Sequence, residues 1–499
     1  MNASLGGSET VVGVSAFGHD ASVAVVRGRK ILFAAHSERY TRVKNDSTIA
    51  AGLVAEAKSY LGGAKVDRMV FYERPRDRLR RNVFAGQARG AVNYAQNVSG
   101  LLWQCYKDDI PLSFVGHHEA HAAAGYFTSG YPDATVVVVD GVGEWETLSV
   151  WRAEGRTLRR VHSIEYPHSL GLLYSAFTER AGLKPNEDEY ILMGMAAHGE
   201  PLYADLIENE LVNTTNTPDL VLKRNIHRGL GKWRVDLNDG PTLAASVQTV
   251  IERYLSRLMT WVAERFPSKN LVYSGGVALN CVANRMIRDL GVFDNIWILP
   301  NPGDAGSSLG AAAALLRHQL EWKGPFLGHD IERQLNPKLV AKELAKGNIV
   351  GIANGRAEFG PRALGNRSLL ADPRGTDVQA RVNRIKRRQL YRPFAPVVLH
   401  DHAQKYFDFD GQSPYMQYTA RCLAPDAFPA ICHVDATSRI QTIDESVHGT
   451  HLYLILQEFY RLTHCPILLN TSLNIKGEPL VNTWGDAERF ARLHDVAIY

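Results

Sequence analysis

Two stretches of the N-terminal third decide the fold: VVGVSAF (11–17), SVAVVR (22–27) and KILFAAH (30–36), then TVVVVD (135–140), TLSVWRAEG (147–155) and LRRVHSIEY (158–166). Each stretch consists of short apolar runs, rich in β-branched residues and separated by tight turns, which is typical of consecutive antiparallel strands. In both stretches a polar turn follows the first strand, GHDAS at 18–22 and DGVGEWE at 140–146. The repeated meander predicts a domain built from two related halves.

A duplicated meander of this kind is the skeleton of the actin–sugar kinase–Hsp70 class, an α/β fold whose halves close on the phosphates of a nucleotide. Apolar residues at helical spacing follow at 241–266, and a buried strand, NLVYSGG (270–276), leads into a further helix. Glycine at such a junction allows backbone NH groups to approach a ligand. Because the composition changes within EWKGPFLGHD (321–330), we predict one domain over 1–325 and a second over 326–499.

The composition is that of a globular protein, with 45% apolar and 22% charged residues among 499, which excludes disordered and fibrous classes. The net charge of +4 is too small to indicate a nucleic-acid or membrane partner. Five scattered cysteines without a CxxC pair argue against a disulfide framework and a cysteine zinc site. Since the N-terminus does not resemble a signal peptide and no apolar run reaches membrane-spanning length, we expect a cytoplasmic protein.

The most specific local motif is HHEAHAAAG (117–125). His117 and His121 are four residues apart, so a helix directs both imidazoles to one side, where they could hold a metal ion. A structural role for such a pair is equally common. Asp304, in the glycine-rich NPGDAGSS (301–308), is the candidate third ligand. Two imidazoles and one carboxylate leave coordination positions open, a set that suits Fe²⁺, Mn²⁺ or Zn²⁺.

Positive charge is concentrated between Arg356 and Arg392, where ten Lys or Arg residues stand against three Asp or Glu. A solvated helix face is the simpler interpretation of a charge run, but arginines within Gly- and Pro-rich turns favour an anion site. The candidates are Arg362, Arg367, Lys386, Arg392 and Arg439, with Ser472 and Asn474 as neutral donors. Glycine turns at 141–143 and 275–276, and Lys44, are candidate phosphate contacts, with ordinary turns and a solvated lysine as the alternatives.

These motifs resemble the antibiotic and nodulation O-carbamoyltransferase family over nearly the whole chain, most clearly in GHDASVAVV (18–26), ERYTRVKND (38–46), FGPRALGNRSLLADPR (359–374) and LNTSLNIKGEPLV (469–481). The resemblance, as in tobramycin and cephalosporin carbamoyltransferases, implies an N-terminal actin–sugar kinase–Hsp70-like (Kae1-like) domain and a C-terminal YrdC-like α/β domain. It implies that the C-terminal domain forms carbamoyl-adenylate from carbamoyl phosphate and ATP with Mg²⁺. The N-terminal domain would then transfer the carbamoyl group to a small-molecule alcohol, a secondary metabolite.

Site roles follow from the resemblance motif by motif. His117, His121 and Asp304 match the metal ligands, with iron expected. Arg362, Lys386, Arg392, Arg439, Ser472 and Asn474 match the carbamoyl phosphate and ATP site. Lys44, Gly141, Gly143, Gly275 and Gly276 match the nucleotide site of the N-terminal domain. His19 and Asp20 are the candidates for assisting deprotonation of the acceptor hydroxyl, with a turn residue and a cap as the alternative.

Two other functions compete with O-carbamoyl transfer. A tRNA threonylcarbamoyl transferase shares the N-terminal fold, but the chain has no broad basic face and carries an arginine-rich second domain. A nucleotide-sensing actin-like binding module would need neither His117, His121 nor Asp304. An aminoglycoside, a macrolide or polyketide, a β-lactam alcohol and a nodulation-type sugar are all open as acceptors, and nothing in the sequence indicates an oligomeric state.

Overall fold

The computed structural model describes residues 9–213, 218–388, 392 and 394–499. These residues divide into two compact units. The first contains the described residues up to Ala34 and Ser47–Trp322; the second contains Ala35–Asp46 and Lys323–Tyr499. The functional domains 1–325 and 326–499 stay a prediction, and the short segment 35–46, which carries Lys44, belongs to the second unit.

In chain order the helices and strands up to Leu316 are β1 Thr10–Ser15, β2 Ser22–Arg27, β3 Lys30–His36, α1 Glu38–Thr41, α2 Ala51–Ser59, β4 Arg68–Phe71, α3 Pro75–Phe84, α4 Ala88–Lys107, β5 Leu112–Phe114, α5 His117–Ser129, β6 Asp133–Val139, β7 Glu146–Glu154, β8 Thr157–Glu165, α6 Leu170–Arg180, α7 Glu189–Met195, α8 Ala204–Leu211, β9 Val212–Asn213, β10 Val221–Leu222, α9 Gly240–Arg265, β11 Asn270–Ser274, α10 Cys281–Asp289, β12 Asn295–Trp297 and α11 Ser307–Leu316. The remaining elements are β13 Phe326–Ile331, α12 Pro337–Ala345, β14 Val350–Ala353, β15 Gly355–Glu358, β16 Arg367–Ala371, α13 Val378–Lys386, β17 Ala395–Leu399, α14 Ala403–Tyr406, β18 Tyr418–Arg421, β19 Thr437–Ile443, α15 Leu452–Thr463, β20 Ile467–Ser472, α16 Trp484–His494 and β21 Ala497–Ile498.

The first unit is built on two five-stranded sheets of the same topology. Their strand orders are β3-β2-β1-β4-β5 and, read from the other edge, β8-β7-β6-β11-β12. In each, the first strand of the meander pairs antiparallel with the second, Val12 opposite Val25 and Val137 opposite Val150. The same strand pairs in parallel with a later one, β1 with β4 and β6 with β11. The duplicated meander and the predicted α/β fold class are therefore confirmed.

Two helices rich in small residues bring the candidate ligands together in the first unit. A Cβ atom on Gly310 of α11 would lie 1.9 Å from the carbonyl oxygen of Ala120 in α5, and one on Gly13 of β1 would lie 1.8 Å from that of Ser308. Side chains larger than hydrogen at these two glycines would push the backbones apart. This close packing sets the start of α11 beside the first turn of α5.

The second unit has an α/β fold of its own. Its main sheet has seven strands in the order β18-β19-β17-β20-β16-β14-β21. Segment 35–46 is tied to it by arginines, because Arg39 donates to the Gly360 carbonyl at 2.9 Å and Arg42 to the Pro479 carbonyl at 2.9 Å. Among the helices of the described residues, none is long and apolar enough to cross a bilayer.

Candidate metal centre and anion site

Four buried side chains of the first unit converge on one point: His117, His121, Asp140 and Asp304. The Nε2 atoms of the two histidines are 3.1 Å apart, and each lies 3.3 Å from Asp304 Oδ1. Asp140 Oδ2 is 3.2 Å from His117 Nε2 and 3.9 Å from His121 Nε2. All four candidate ligand atoms lie within 4.8 Å of one another. The structure thus brings together the three predicted ligands and adds a fourth.

Local chain geometry explains the convergence. The two histidines start α5, so their i, i+4 spacing stacks the imidazoles on one side. Asp140 follows directly after β6, and the next turn runs against α5 so closely that a Cβ on Gly143 would lie 3.0 Å from His117 Cβ. Asp304 opens the short turn that leads into α11. Three separate elements therefore deliver one oxygen- and nitrogen-rich cluster.

The cluster fits a divalent cation. Two ligands bound to one metal at about 2.0–2.2 Å are about 3.0–3.5 Å apart, which matches the closest separations between these atoms. The ionic partners of Asp140 and Asp304 among the described residues are histidines. Burial alone lowers the pKa of His117, yet Asp304 and Asp140 raise it well above its ordinary value. The site therefore concentrates negative charge that a bound metal ion would neutralise.

Two buried glutamates lie near His117 at its backbone amide and at Nδ1, the ring nitrogen that does not face the cluster. The Glu144 carboxylate accepts the His117 amide through both oxygens, at 3.1 and 3.0 Å. Glu73 Oε2 lies 3.9 Å from His117 Nδ1, and Arg78 Nη1 holds both oxygens of Glu73 at 2.7 Å. This negative charge beside Nδ1 favours the ring orientation in which Nε2 faces the cluster.

The other ligands have supporting contacts of their own. His121 Nδ1 is 3.2 Å from Ser307 Oγ, and Asp140 Oδ1 accepts the Gly276 amide at 2.8 Å. Because these partners occupy the atoms that point away from the cluster, His121 Nε2 and Asp140 Oδ2 are left facing it.

The predicted pair His19 and Asp20 lies at the edge of the cluster. His19 Nδ1 is 2.9 Å from Asp20 Oδ2, and His19 Nε2 is 3.6 Å from Asp304 Oδ2. The His19 side chain is half exposed. The partial burial of the ring lowers its pKa, but the charges of Asp304 and Asp20 outweigh this effect and raise the pKa of His19 above its ordinary value. The pair is therefore placed between solvent and the candidate ligands.

The predicted nucleotide-binding glycines sit in the turns that surround the cluster. Three of their amides donate within the chain: Gly143 to the Glu146 carbonyl at 2.9 Å, Gly275 to the Pro302 carbonyl at 3.0 Å and Gly276 to Asp140. Gly275 also has a φ of +91°. The structure shows these glycines in close packing, whereas nucleotide binding by them, by Gly141 and by Lys44 stays a prediction.

Three of the six predicted carbamoyl phosphate and ATP residues meet in the second unit. Lys386 Nζ lies 3.0 Å from Ser472 Oγ and 3.0 Å from both the carbonyl and the Oδ1 oxygens of Asn474, and it also contacts the Ser472 carbonyl. Burial, with the nearby charges of Arg388 and Arg392, lowers the pKa of Lys386 well below its ordinary value. Three further predicted residues are half-buried in this unit: Arg362, Arg392 and Arg439.

Arg367, a further candidate for the anion site, has a different role. It is fully buried. Its guanidinium donates to five backbone carbonyl oxygens, those of His329, Asn354, Gly355, Asn366 and Asn482. With its donors directed at these carbonyls, Arg367 holds chain segments together, and the prediction that it binds an anion is wrong.

Comparison with known proteins places this architecture. A family model described as "Carbamoyltransferase N-terminus" matches residues 10–313, and one described as "Carbamoyltransferase C-terminus" matches residues 341–499. The chain belongs to the carbamoyltransferase family. The predicted family and the prediction of a transferase enzyme are confirmed.

Relatives of this carbamoyltransferase include proteins named for nodulation and for antibiotic modification. Uncharacterized protein sll1178 of Synechocystis sp. is 37% identical, covering 96% of this chain and 93% of that protein. Nodulation protein NolNO of Sinorhizobium fredii is 30% identical, covering 94% and 76%. The 3'-hydroxymethylcephem-O-carbamoyltransferase of Amycolatopsis lactamdurans is 27% identical, covering 94% of each chain. Among solved structures, HypF of T. kodakarensis is similar with a TM-score of 0.38 at 15% identity; 63% of this chain is covered and 48% of HypF.

Sequence reasoning missed three acidic residues of the candidate metal centre and its surroundings: Asp140, Glu73 and Glu144. Asp140 could have been predicted, because an acidic residue directly after a run of four valines lies at the carboxyl end of a buried strand. Glu73 also follows a buried strand, β4. Glu144 offered no such signal, because its role depends on how its turn packs against α5.

Proposed function

We propose that the protein is an ATP-dependent O-carbamoyltransferase that forms carbamoyl-adenylate and passes its carbamoyl group to the hydroxyl of a secondary metabolite. The observation that carries the proposal is the buried cluster of His117, His121, Asp140 and Asp304 in a chain of the carbamoyltransferase family. The relatives named as O-carbamoyltransferases of 3'-hydroxymethylcephem support a hydroxyl acceptor. We assign transfer to residues 1–325 and activation to residues 326–499.

Activation takes carbamoyl phosphate and ATP, with Mg²⁺, to carbamoyl-adenylate. Hydrolytic loss of phosphate leaves carbamate, whose oxygen attacks the α-phosphorus of ATP and displaces pyrophosphate. Lys386, whose Nζ contacts Ser472 and Asn474, is the proposed contact for the donor phosphate, whose negative charge would favour the charged form of this amine. Three arginines would donate charge-assisted hydrogen bonds to the phosphate oxygens: Arg362, Arg392 and Arg439.

Transfer needs an activated carbonyl, a deprotonated hydroxyl and release of AMP. A divalent metal, with Fe²⁺ expected and Mn²⁺ or Zn²⁺ as alternatives, would be held by the four-residue cluster and would supply Lewis-acid polarisation. Glu73 and Glu144 orient His117 for this role. His19 Nδ1 lies against Asp20, and His19 Nε2 lies against Asp304. A bound cation would offset the charge of Asp304, the main charge that raises the pKa of His19, and Nε2 could then take the proton of the substrate hydroxyl.

The half-reactions can be tested separately. Purified, metal-loaded protein is incubated with Mg-ATP and carbamoyl phosphate without acceptor, and phosphate and pyrophosphate are measured. We expect pyrophosphate release that depends on carbamoyl phosphate, lost in Lys386→Met and kept in Asp304→Asn. Circular dichroism of both variants reports whether they are folded. Pyrophosphate release that is absent from the folded wild type, or unchanged in Lys386→Met, would contradict the assignment of the second unit.

A further inference from the structure

The exposed face of α3 carries a line of two arginines and one aromatic ring. Arg76, Arg80 and Phe84 are spaced four residues apart, so they lie on one side of the helix and span about 12 Å. The Arg80 side chain is 74% exposed and forms an exposed ion pair with Asp77 at 3.4 Å, and Phe84 is 68% exposed. On the other side of the helix, Arg81 and Asn82 are buried. The exposed side of α3 thus presents both positive charge and an apolar ring to solvent.

Helix α3 is fixed to the candidate metal centre. The buried Arg81 guanidinium donates to the carbonyls of Glu144 at 3.2 Å and Gly143 at 3.3 Å. At the start of the helix, the Arg74 amide donates to the Glu144 carboxylate at 2.6 Å. The same carboxylate accepts the amide of the candidate ligand His117. The line on α3 therefore has a defined position relative to the candidate ligands.

An aromatic ledge joins this helix to the turn after β6. The Phe84 ring centroid lies 5.6 Å from that of Trp145 and 6.2 Å from that of Tyr166. Trp145 follows Glu144 directly, so the ledge begins one residue from the contacts of His117. The ring planes of these pairs are inclined at 58° and 84°, so the exposed Phe84 ring offers its face to a flat ligand while Trp145 and Tyr166 pack beside it.

A second basic segment is attached to the end of α3. Residues 221–234 contain five Lys or Arg and no Asp or Glu, and residues 74–89 contain six Arg and one Asp. Arg228 donates to the Ala85 and Gly86 carbonyls at 3.3 and 3.4 Å, and Gln87 Nε2 is 2.5 Å from His227 Nε2. Arg78 pairs with Glu73 and Arg81 donates to backbone carbonyls, so the exposed positive charge comes from the remaining arginines of 74–89 and from residues 221–234.

We propose that this face binds the acceptor, and that the acceptor is an anionic alcohol with a flat ring system. The ring stacks on Phe84 beside Trp145, a carboxylate, sulfate or phosphate group binds Arg76 and Arg80, and the hydroxyl is directed towards the metal centre. Arginine forks pair with such anions through two parallel hydrogen bonds. This inference rests on the proposed function, because it assumes that a hydroxyl acceptor is used.

The size of the face also restricts the acceptor. A ligand that reaches from Phe84 to the arginines must extend over about 6–12 Å, since each residue adds about 1.5 Å along the helix. A short-chain alcohol cannot contact both groups. A fused or linked pair of rings that bears one acidic group can.

The test uses two probes that differ only in charge, 6-(hydroxymethyl)-2-naphthoate and its neutral carboxamide. Binding to the full-length protein is measured by isothermal titration calorimetry at low and high salt. We expect the carboxylate to bind at least about tenfold more tightly than the carboxamide at low salt, with a smaller difference at high salt. Arg76→Gln/Arg80→Gln should remove this preference, and Phe84→Ala should weaken both probes.

Arg156→Gln/Arg159→Gln is the matched control. It removes two exposed arginines at the end of β7 that is remote from Trp145, and it should leave binding unchanged. Equal affinity for both probes, saturable binding of neither, or an unchanged preference in Arg76→Gln/Arg80→Gln would overturn the proposal. If bulk tRNA binds and the arginine variant loses it while the naphthoate does not bind, the face serves a nucleic acid instead. Calorimetry requires no pyrophosphate release, so failure here is distinguishable from failure of the proposed function.

Discussion

Replacing Asp140 with asparagine tests the fourth ligand that the tertiary structure added. Asparagine keeps the size of the side chain and the Oδ1 atom that accepts the Gly276 amide at 2.8 Å. It removes the negative charge of Oδ2, which lies 3.2 Å from His117 Nε2. The substitution therefore changes the ligand set while it retains the contact that positions the side chain.

The expected effect follows from the loss of one buried charged contact. Such a contact is worth about 1.5–3 kcal/mol, and about 1.4 kcal/mol corresponds to a factor of ten in affinity. We therefore expect Asp140→Asn to bind one equivalent of Zn²⁺ or Fe²⁺ about 10–150-fold more weakly than the wild type. The stabilisation that excess metal gives the folded protein should fall accordingly.

The assay is competition for the metal with a chromophoric chelator, followed by thermal unfolding with and without metal. Asp133→Asn is the control, since Asp133 starts the same strand, β6, and contacts Ser268 instead. Unchanged metal affinity in folded Asp140→Asn would refute Asp140 as a ligand. A wild-type protein that binds no metal would refute the metal centre itself.

Four further predictions concern stability, each measured by urea unfolding. Arg367→Met should cost about 3 kcal/mol or more, because it leaves buried carbonyls without donors; a cost below about 1 kcal/mol would contradict its structural role. Gly13→Ala should cost about 3 kcal/mol, since the new Cβ would lie 1.8 Å from a carbonyl oxygen of α11. Gly90→Ala, on α4 with nothing within 4 Å, should be neutral or stabilise the protein by up to about 1 kcal/mol. Burial raises the pKa of Asp486, but the amides of Thr483 and Asn482, just before α16, and the charge of Arg42 lower it below its ordinary value. Its contribution is therefore present above about pH 4 and lost as the pH falls through the lower, folded-state pKa. Asp486→Asn should cost up to about 1 kcal/mol at pH 7, and the difference from wild type should shrink below pH 4; an equal difference at both pH values would argue against this ion pair.

Local sequence features were sufficient for the fold class and for part of the site. The apolar runs at 11–17 and 135–140 specify strands because alternation and β-branching act over a few residues. The pair His117 and His121 could be assigned to one side of a helix because their spacing is itself a helical repeat. Motifs in a fixed order along the chain identified the family, which the matched family models confirm.

Other parts of the site depend on contacts between distant segments. Asp140 meets His117 across 23 residues, and Glu73 approaches the same histidine across 44. Arg367 looks like its neighbours in an arginine-rich segment, yet it is fully buried among carbonyls. Local pattern reports which residues are available and which side of an element they occupy. Sheet pairing and helix packing decide which residues become ligands, which position those ligands and which hold the backbone together. They bring together atoms that are far apart along the chain.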